Sequence, residues 1–205
     1  MAVCRFCKYK CDNPDCNLEV SVEIEVSQYF YNKCVNFAND RIGRSADLYS
    51  YRGEKRLHKM VEDIIIGTVG EYGVYKYLKK KQIEVCKPDL KIYENKRKSF
   101  AADLFNDDIK IHVKSQGVES AKRYGNSWLM QKRDKVINDP SKNEYFAFTN
   151  VDGKRVTILG IVKCSDIIKY DLLGECKVPA YRHTKIALYW DTIKERLDSR
   201  KRWRL

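Results

Sequence analysis

Between Ile109 and Gln116 the chain alternates strictly. Ile109, Ile111 and Val113 are apolar, while Lys110, His112 and Lys114 are polar. A period of two places the first set on one face of a β-strand and the second set on the other. Such a strand must rest on a core with one face and present a row of polar groups with the other. Elsewhere the period is helical. Leu57, Val61, Ile64, Ile65, Val69, Tyr72, Tyr75 and Leu78 form a stripe within a segment from about Arg52 to Lys81. A chain that uses both periods is expected to be α/β.

Leu18 to Val26 alternates and predicts a strand. Ser27 is placed to cap a helix running to about Arg41, followed by a break at Gly43-Arg-Ser-Ala. Gly67 and Gly70 interrupt the long helical stripe, each at a cost of up to ~1 kcal/mol, and predict a kink or the close approach of another element. Short strands are expected at Ile83–Cys86, Leu90–Tyr93 and Phe100–Phe105. A basic, helix-like segment is expected from Ser120 to Asp134. Tyr145–Asn150 and Val156–Val162 read as a hairpin turning at Asp152-Gly153. Ser165-Asp-Ile-Ile predicts a capped short helix, and Leu188 to Leu205 a helix with a very basic end.

At 205 residues the chain is expected to form one domain with a small appendage: a Cys-rich segment at 1–17, then a larger unit at 18–205. Lys and Arg total 40 against 28 acids, a net charge of +12. Such a surplus points to a polyanionic partner, nucleic acid before membrane. No apolar run approaches the ~20 residues that span a bilayer. The first residues lack the apolar core of a signal peptide, so a cytoplasmic location is expected. There, eight cysteines read as thiols or metal ligands rather than a disulfide framework.

The polar residues of the 109–116 strand stand in a telling order. Glu71 lies on the long helix, Asp103 a short hairpin upstream of the strand, and Lys114 on the strand itself. Carboxylates can hold a divalent ion, and a lysine can orient or activate an attacking water. This order resembles the PD-(D/E)XK, or restriction-endonuclease-like, nuclease superfamily over roughly residues 50–165. In that family a helical Glu precedes an Asp at one strand, and the next strand carries (Asp or Glu)-X-Lys in an apolar frame. The resemblance implies a central mixed β-sheet flanked by helices and Mg²⁺-dependent hydrolysis of DNA phosphodiesters. Glu71 and Asp103 would hold the ion and Lys114 would act on the water. Gln116, two residues on along the same face, would bind phosphate or water, or end the strand in solvent.

His112 departs from the pattern, standing where the family usually has an acid. It reads as a neutral imidazole ligand favouring Mn²⁺ over Mg²⁺, as a phosphate contact with Glu71 supplying the missing carboxylate, or as a plain polar strand residue. A rival register also exists. Pro88-Asp89 with Asp108-Ile109-Lys110 spells the motif literally, although Asp107-Asp108 has the look of a hairpin tip.

Lys122, Arg123, Lys132 and Arg133 lie around Ser127-Trp128-Leu-Met-Gln131, where cations would neutralise phosphates and Gln131 could read an adenine edge. The blander account puts Trp128 and Leu129 in the core. Cys4, Cys7, Cys11 and Cys16 bring four thiols close together, a set suited to Zn²⁺, with an iron–sulfur cluster or unligated thiols as alternatives. The function expected is a metal-dependent DNA endonuclease of restriction or phage type, acting on double-stranded DNA as a homodimer. The alternatives are a non-catalytic nucleic-acid-binding protein with a zinc-bound arm, and an RNA-processing nuclease of the same fold.

Overall fold

The computed structural model describes residues 18–51, 57–92 and 101–202. The Cys4, Cys7, Cys11 and Cys16 cluster and the extreme basic tail at 203–205 lie outside the described residues. The architecture is mixed α/β: a curled five-stranded sheet flanked by helices, with a second, three-stranded sheet on one face.

Strand β1 (Leu18–Glu25) leads into helix α1 (Gln28–Tyr51). The Ser27 carbonyl accepts the Tyr31 N–H at 2.9 Å, so the helix starts where the capping residue predicts. It does not stop at Gly43. One glycine costs a helix only about 1 kcal/mol, and the residues after it sustain the turn. Helix α2 (Leu57–Lys80) carries the long apolar stripe and packs on the large sheet.

Strand β2 is only Leu104–Phe105, and β3 runs Lys110–Gly117. The other short strands expected before β2 are absent among the described residues. Residues 83–92 are extended but unladdered, although the Cys86 N–H donates to the Phe105 carbonyl at 2.8 Å. The segment expected to be helical from Ser120 divides instead into a short helix α3 (Val118–Tyr124) and a strand β4 (Ser127–Gln131). Gly125 breaks the helix at φ +76°. A one-turn helix α4 (Lys135–Asn138) follows, with Asp134 as its N-cap.

The expected hairpin is present as β5 (Glu144–Asp152) and β6 (Arg155–Lys163). Helix α5 (Cys164–Lys169) begins one residue before Ser165, with no side-chain cap. Strands β7 (Leu173–Glu175) and β8 (Lys185–Tyr189) precede helix α6 (Trp190–Arg202).

The large sheet has the order β1-β6-β5-β3-β2, and the small one β4-β8-β7. Strand β3 runs parallel to β5, and the other pairs are antiparallel. Central β5 is apolar on both faces, as a strand buried on both sides must be. On one face Val69, Val74, Tyr77 and Leu78 of α2 meet Ile111, Ala147, Val156 and Ile158. On the other, Phe146, Phe148 and Val162 meet Trp128, Met130, Leu188 and Trp190 of the small sheet and its flank. The Trp128 ring lies 4.6 Å from Phe148 and perpendicular to Trp190, and its Nε1 donates to the Thr149 carbonyl at 3.3 Å. Trp128 is therefore core, as the blander account of that segment had it. No helix among the described residues is long and apolar enough to cross a membrane.

Candidate functional site

The site lies at the β2 edge of the large sheet, and glycine sets its depth. A Cβ at Gly70 would fall on Ser115 Oγ and come within 3.0 Å of Thr149 Oγ1. Bare backbone there lets α2 settle directly onto β3 and β5. Glu71, the next residue, is turned about 100° around the helix axis, toward the sheet edge where Asp103 lies.

Asp103 is held by its own hairpin. Its N–H donates to the Ile111 carbonyl at 3.1 Å, and its Oδ2 accepts the Val113 N–H at 2.7 Å. Strand β2 is too short to pair with β3 that far along. The Asp103 carboxylate thus takes the place of a strand partner at Val113. It stays at the edge of the sheet instead of pointing off either face.

The two carboxyl groups share one electrostatic environment. Burial pushes Glu71 well above the usual carboxylate range, and the negative charge of Asp103 pushes it further; Arg41 of α1 opposes this and Asp89 adds to it. Asp103 is also raised by burial, against the pull of the Val113 N–H and the electrostatic influence of Lys114 and His112. Two half-buried acids that repel each other form a poor arrangement for a protein alone and a good one around a cation.

Lys114 approaches from the opposite side. Alternation along β3 turns Ile111, Val113 and Ser115 toward α2 and His112, Lys114 and Gln116 toward the small sheet. The Lys114 Nζ lies 5.5 Å from the Phe146 ring centroid. Its charge acts on Asp103 and on Cys164, whose thiol burial pushes far up. Glu71 and Lys114 therefore lie toward opposite faces of the sheet, each within electrostatic reach of Asp103 at the open edge of β3.

His112 is buried, with Nε2 paired to Glu144 Oε1 at 2.9 Å. Glu144 Oε2 accepts the Ser141 N–H at 2.8 Å. Burial would raise the Glu144 carboxyl, but the bonds from His112 and Ser141 prevail and hold it below its ordinary value. The acid in contact with the His112 imidazole thus comes from the neighbouring strand β5.

Gln116 is buried and fully engaged. Its amide donates to Ser120 Oγ (3.3 Å) and the Gly125 carbonyl (3.1 Å), and its Oε1 accepts the Ser127 N–H (2.9 Å). It ties the end of β3 to the α3–β4 turn.

The predicted nucleic-acid contacts divide into two groups. Lys122 and Arg123 are exposed on α3, where Lys122 pairs with Glu119 at 2.7 Å. Gln131, Lys132 and Arg133 are exposed at the end of β4, and the Lys132 N–H donates to the Thr184 carbonyl at 3.0 Å.

In the rival register, Asp108 and Lys110 are exposed at and beside a tight turn. Asn106 Oδ1 accepts the N–H groups of both Asp108 and Ile109 there, each at 2.9 Å. Asp89 is different: it lies close enough for its charge to raise Glu71. Arg41 and Glu144 escaped the sequence reading. Neither carries a local signal, because each reaches the site from another element.

Among the described residues, no group of three or more His, Cys, Asp or Glu side chains comes close enough to hold a metal by itself. Mg²⁺ is commonly held by one or two carboxylates, with waters and substrate phosphates completing the shell. No family model matches the chain, and no curated protein or solved structure matches it.

Proposed function

We propose that this protein is a divalent-metal-dependent endonuclease that hydrolyses phosphodiester bonds of DNA, with a restriction-endonuclease-like core. One observation carries the reading: Asp103, fixed at the sheet edge, lies within electrostatic reach of the half-buried Glu71 carboxyl of α2 and of the Lys114 ammonium. The sequence order helix–Glu71, hairpin–Asp103, strand–Lys114 supports it, as does the net charge of +12.

Glu71 and Asp103 would hold Mg²⁺ or Mn²⁺. A bound ion supplies charge neutralisation at the scissile phosphate and acidifies the attacking water. Asp103, locked by the Val113 N–H, keeps its carboxylate in one orientation. Lys114 places a positive charge beside that carboxylate and orients the nucleophilic water. Lys132 and Arg133, with Lys122 and Arg123, would engage backbone phosphates and set the register of double-stranded DNA. Cutting both strands of a duplex calls for two such sites, hence a homodimer. Zn²⁺ on Cys4, Cys7, Cys11 and Cys16 would stabilise the N-terminal segment. A cytoplasmic location accords with free thiols at Cys34, Cys86, Cys164 and Cys176.

Plasmid DNA incubated with wild type and Mg²⁺ or Mn²⁺ tests the proposal. Cutting by wild type, lost in Lys114→Ala and Asp103→Asn, supports it. Cutting lost in Asp89→Asn but retained in Asp103→Asn transfers the metal to the rival register. The engagement of His112 by Glu144 favours one second reading, a non-catalytic nucleic-acid-binding protein. Wild type that retards DNA in a gel and never cuts it decides for that reading.

A further inference from the structure

The N-terminal turns of α1 carry an aromatic feature that the hydrolytic site does not use. Tyr29 is 64% exposed and Phe30 37% exposed. Their rings meet edge to face with centroids 5.4 Å apart. Phe30 in turn lies 4.6 Å from Tyr72, which follows Glu71 directly on α2. Tyr29 and Phe30 are thus open to solvent, while Tyr72 is buried beneath Phe30 and anchors the pair to α2. Lys33, one turn along α1, holds its Nζ 4.6 Å from the Tyr29 ring centroid. Beside the rings is an open cleft of about 310 Å³, whose walls include Lys33, Asn36, Asp40, Tyr72 and Pro88. Arg41, which acts electrostatically on Glu71, lies on the same helix.

Exposed aromatic rings are costly to keep in water unless they meet something flat. Here Tyr29 has the Lys33 ammonium over its ring, as strand-binding surfaces do when bases stack and phosphates are neutralised. The bases of a duplex already stack on one another and hide their faces, so only unpaired bases can use such rings. The acid Asp40 in the cleft disfavours a phosphate at its own position and leaves Lys33 as the phosphate contact of the cleft wall.

We infer that the exposed Tyr29–Phe30 ladder, with Lys33, binds an unpaired stretch of nucleic acid and leads it to Glu71 and Asp103. The preferred substrate then contains a single-stranded segment, such as an overhang or a flap, beside any duplex held by the β4 cations. This inference rests on the hydrolase reading for what happens at the end of the ladder, but its binding step stands apart from cutting.

The test measures binding without turnover. Fluorescence anisotropy of a short fluorescein-labelled oligodeoxythymidylate is recorded in EDTA. Tyr29→Ala and Phe30→Ala are each expected to weaken binding about tenfold, and Tyr29→Phe to retain it. Lys33→Ala is expected to lower the slope of log affinity against log salt by about 0.7, one single-strand phosphate. Tyr29 is exposed, so its loss leaves the core intact, and circular dichroism verifies this. Unchanged affinity in both alanine variants, or equal affinity for a blunt duplex of the same length, overturns the inference. Intact single-strand binding with no cutting under any metal overturns the hydrolase reading instead and leaves the ladder as a binding surface.

Discussion

Gly70 and Gly67 are separated by less than one helical turn of α2, yet they should respond oppositely to the same substitution. At Gly70 an added Cβ would overlap Ser115 Oγ, come within 2.9 Å of Ser115 Cβ and within 3.0 Å of Thr149 Oγ1. Those two hydroxyls are hydrogen-bonded to each other at 2.9 Å, so neither can withdraw freely. Overpacking of this kind costs about 1–3 kcal/mol. At Gly67 nothing lies within 4 Å of the same atom. Both variants gain helix propensity of about 1 kcal/mol from alanine. That gain cancels in the comparison, so the difference between the two isolates the packing term, about 1–3 kcal/mol. For a protein of this size each kcal/mol moves the midpoint by about 2–4 °C. Gly67→Ala should therefore melt a few degrees above wild type, and Gly70→Ala level with it or below. Thermal and urea unfolding followed by circular dichroism measure both. Gly70→Ala should also weaken Mg²⁺-dependent cutting, because the helix that moves outward carries Glu71. A Gly70→Ala protein as stable as Gly67→Ala would refute the claim that the bare α2 backbone at Gly70 rests on the Ser115 and Thr149 side chains.

Three further outcomes are expected. Glu71 and Asp103 bind protons more tightly in the folded than in the unfolded state, so without metal they make stability fall as pH rises from the ordinary carboxylate range through their raised values. The Tm of Glu71→Gln minus that of wild type, in EDTA, should accordingly grow across that window, and Mg²⁺ should reverse the trend in wild type alone; a difference flat with pH would contradict this. Glu144 has the opposite sign: its lowered carboxyl contributes stability above the usual acid range that is lost as pH falls. Glu144→Ala should cost about 1–3 kcal/mol at neutral pH, by leaving the buried His112 ring and the Ser141 N–H unpaired, and urea unfolding reads the loss. Gln116→Leu should destabilise the fold by a similar amount, again about 1–3 kcal/mol, because three bonds to the α3–β4 turn vanish. A Gln116→Leu variant of native stability that has lost cutting would reassign that amide to substrate.

Much of the local structure was legible in the residues. Strands β1, β3, β5 and β6 announce themselves by alternation or by a turn at Asp152-Gly153, because half-buried strands and tight hairpins leave a local pattern. The close approach expected at a glycine of α2 was found at Gly70, though not at Gly67. The segment from Ser120 to Asp134 misled, because its cations suit an exposed helix while Trp128 and Met130, two apart, alternate into the core of a strand. Helix α1 overran its predicted end, since a lone glycine is a weak stop.

The chain's own order of residues determined which groups are chemically capable: Glu71 on a helical stripe, Asp103 in a hairpin, Lys114 on a half-polar strand, all within a strongly basic composition. Only the tertiary structure decided how they meet. It set Glu71 and Lys114 toward two faces of one sheet within electrostatic reach of Asp103, put Arg41 and Asp89 within reach of Glu71, and gave His112 its acid from β5. Those contacts join residues tens of positions apart, where side-chain period carries no information and only the packing of helix on sheet and strand on strand fixes the neighbours.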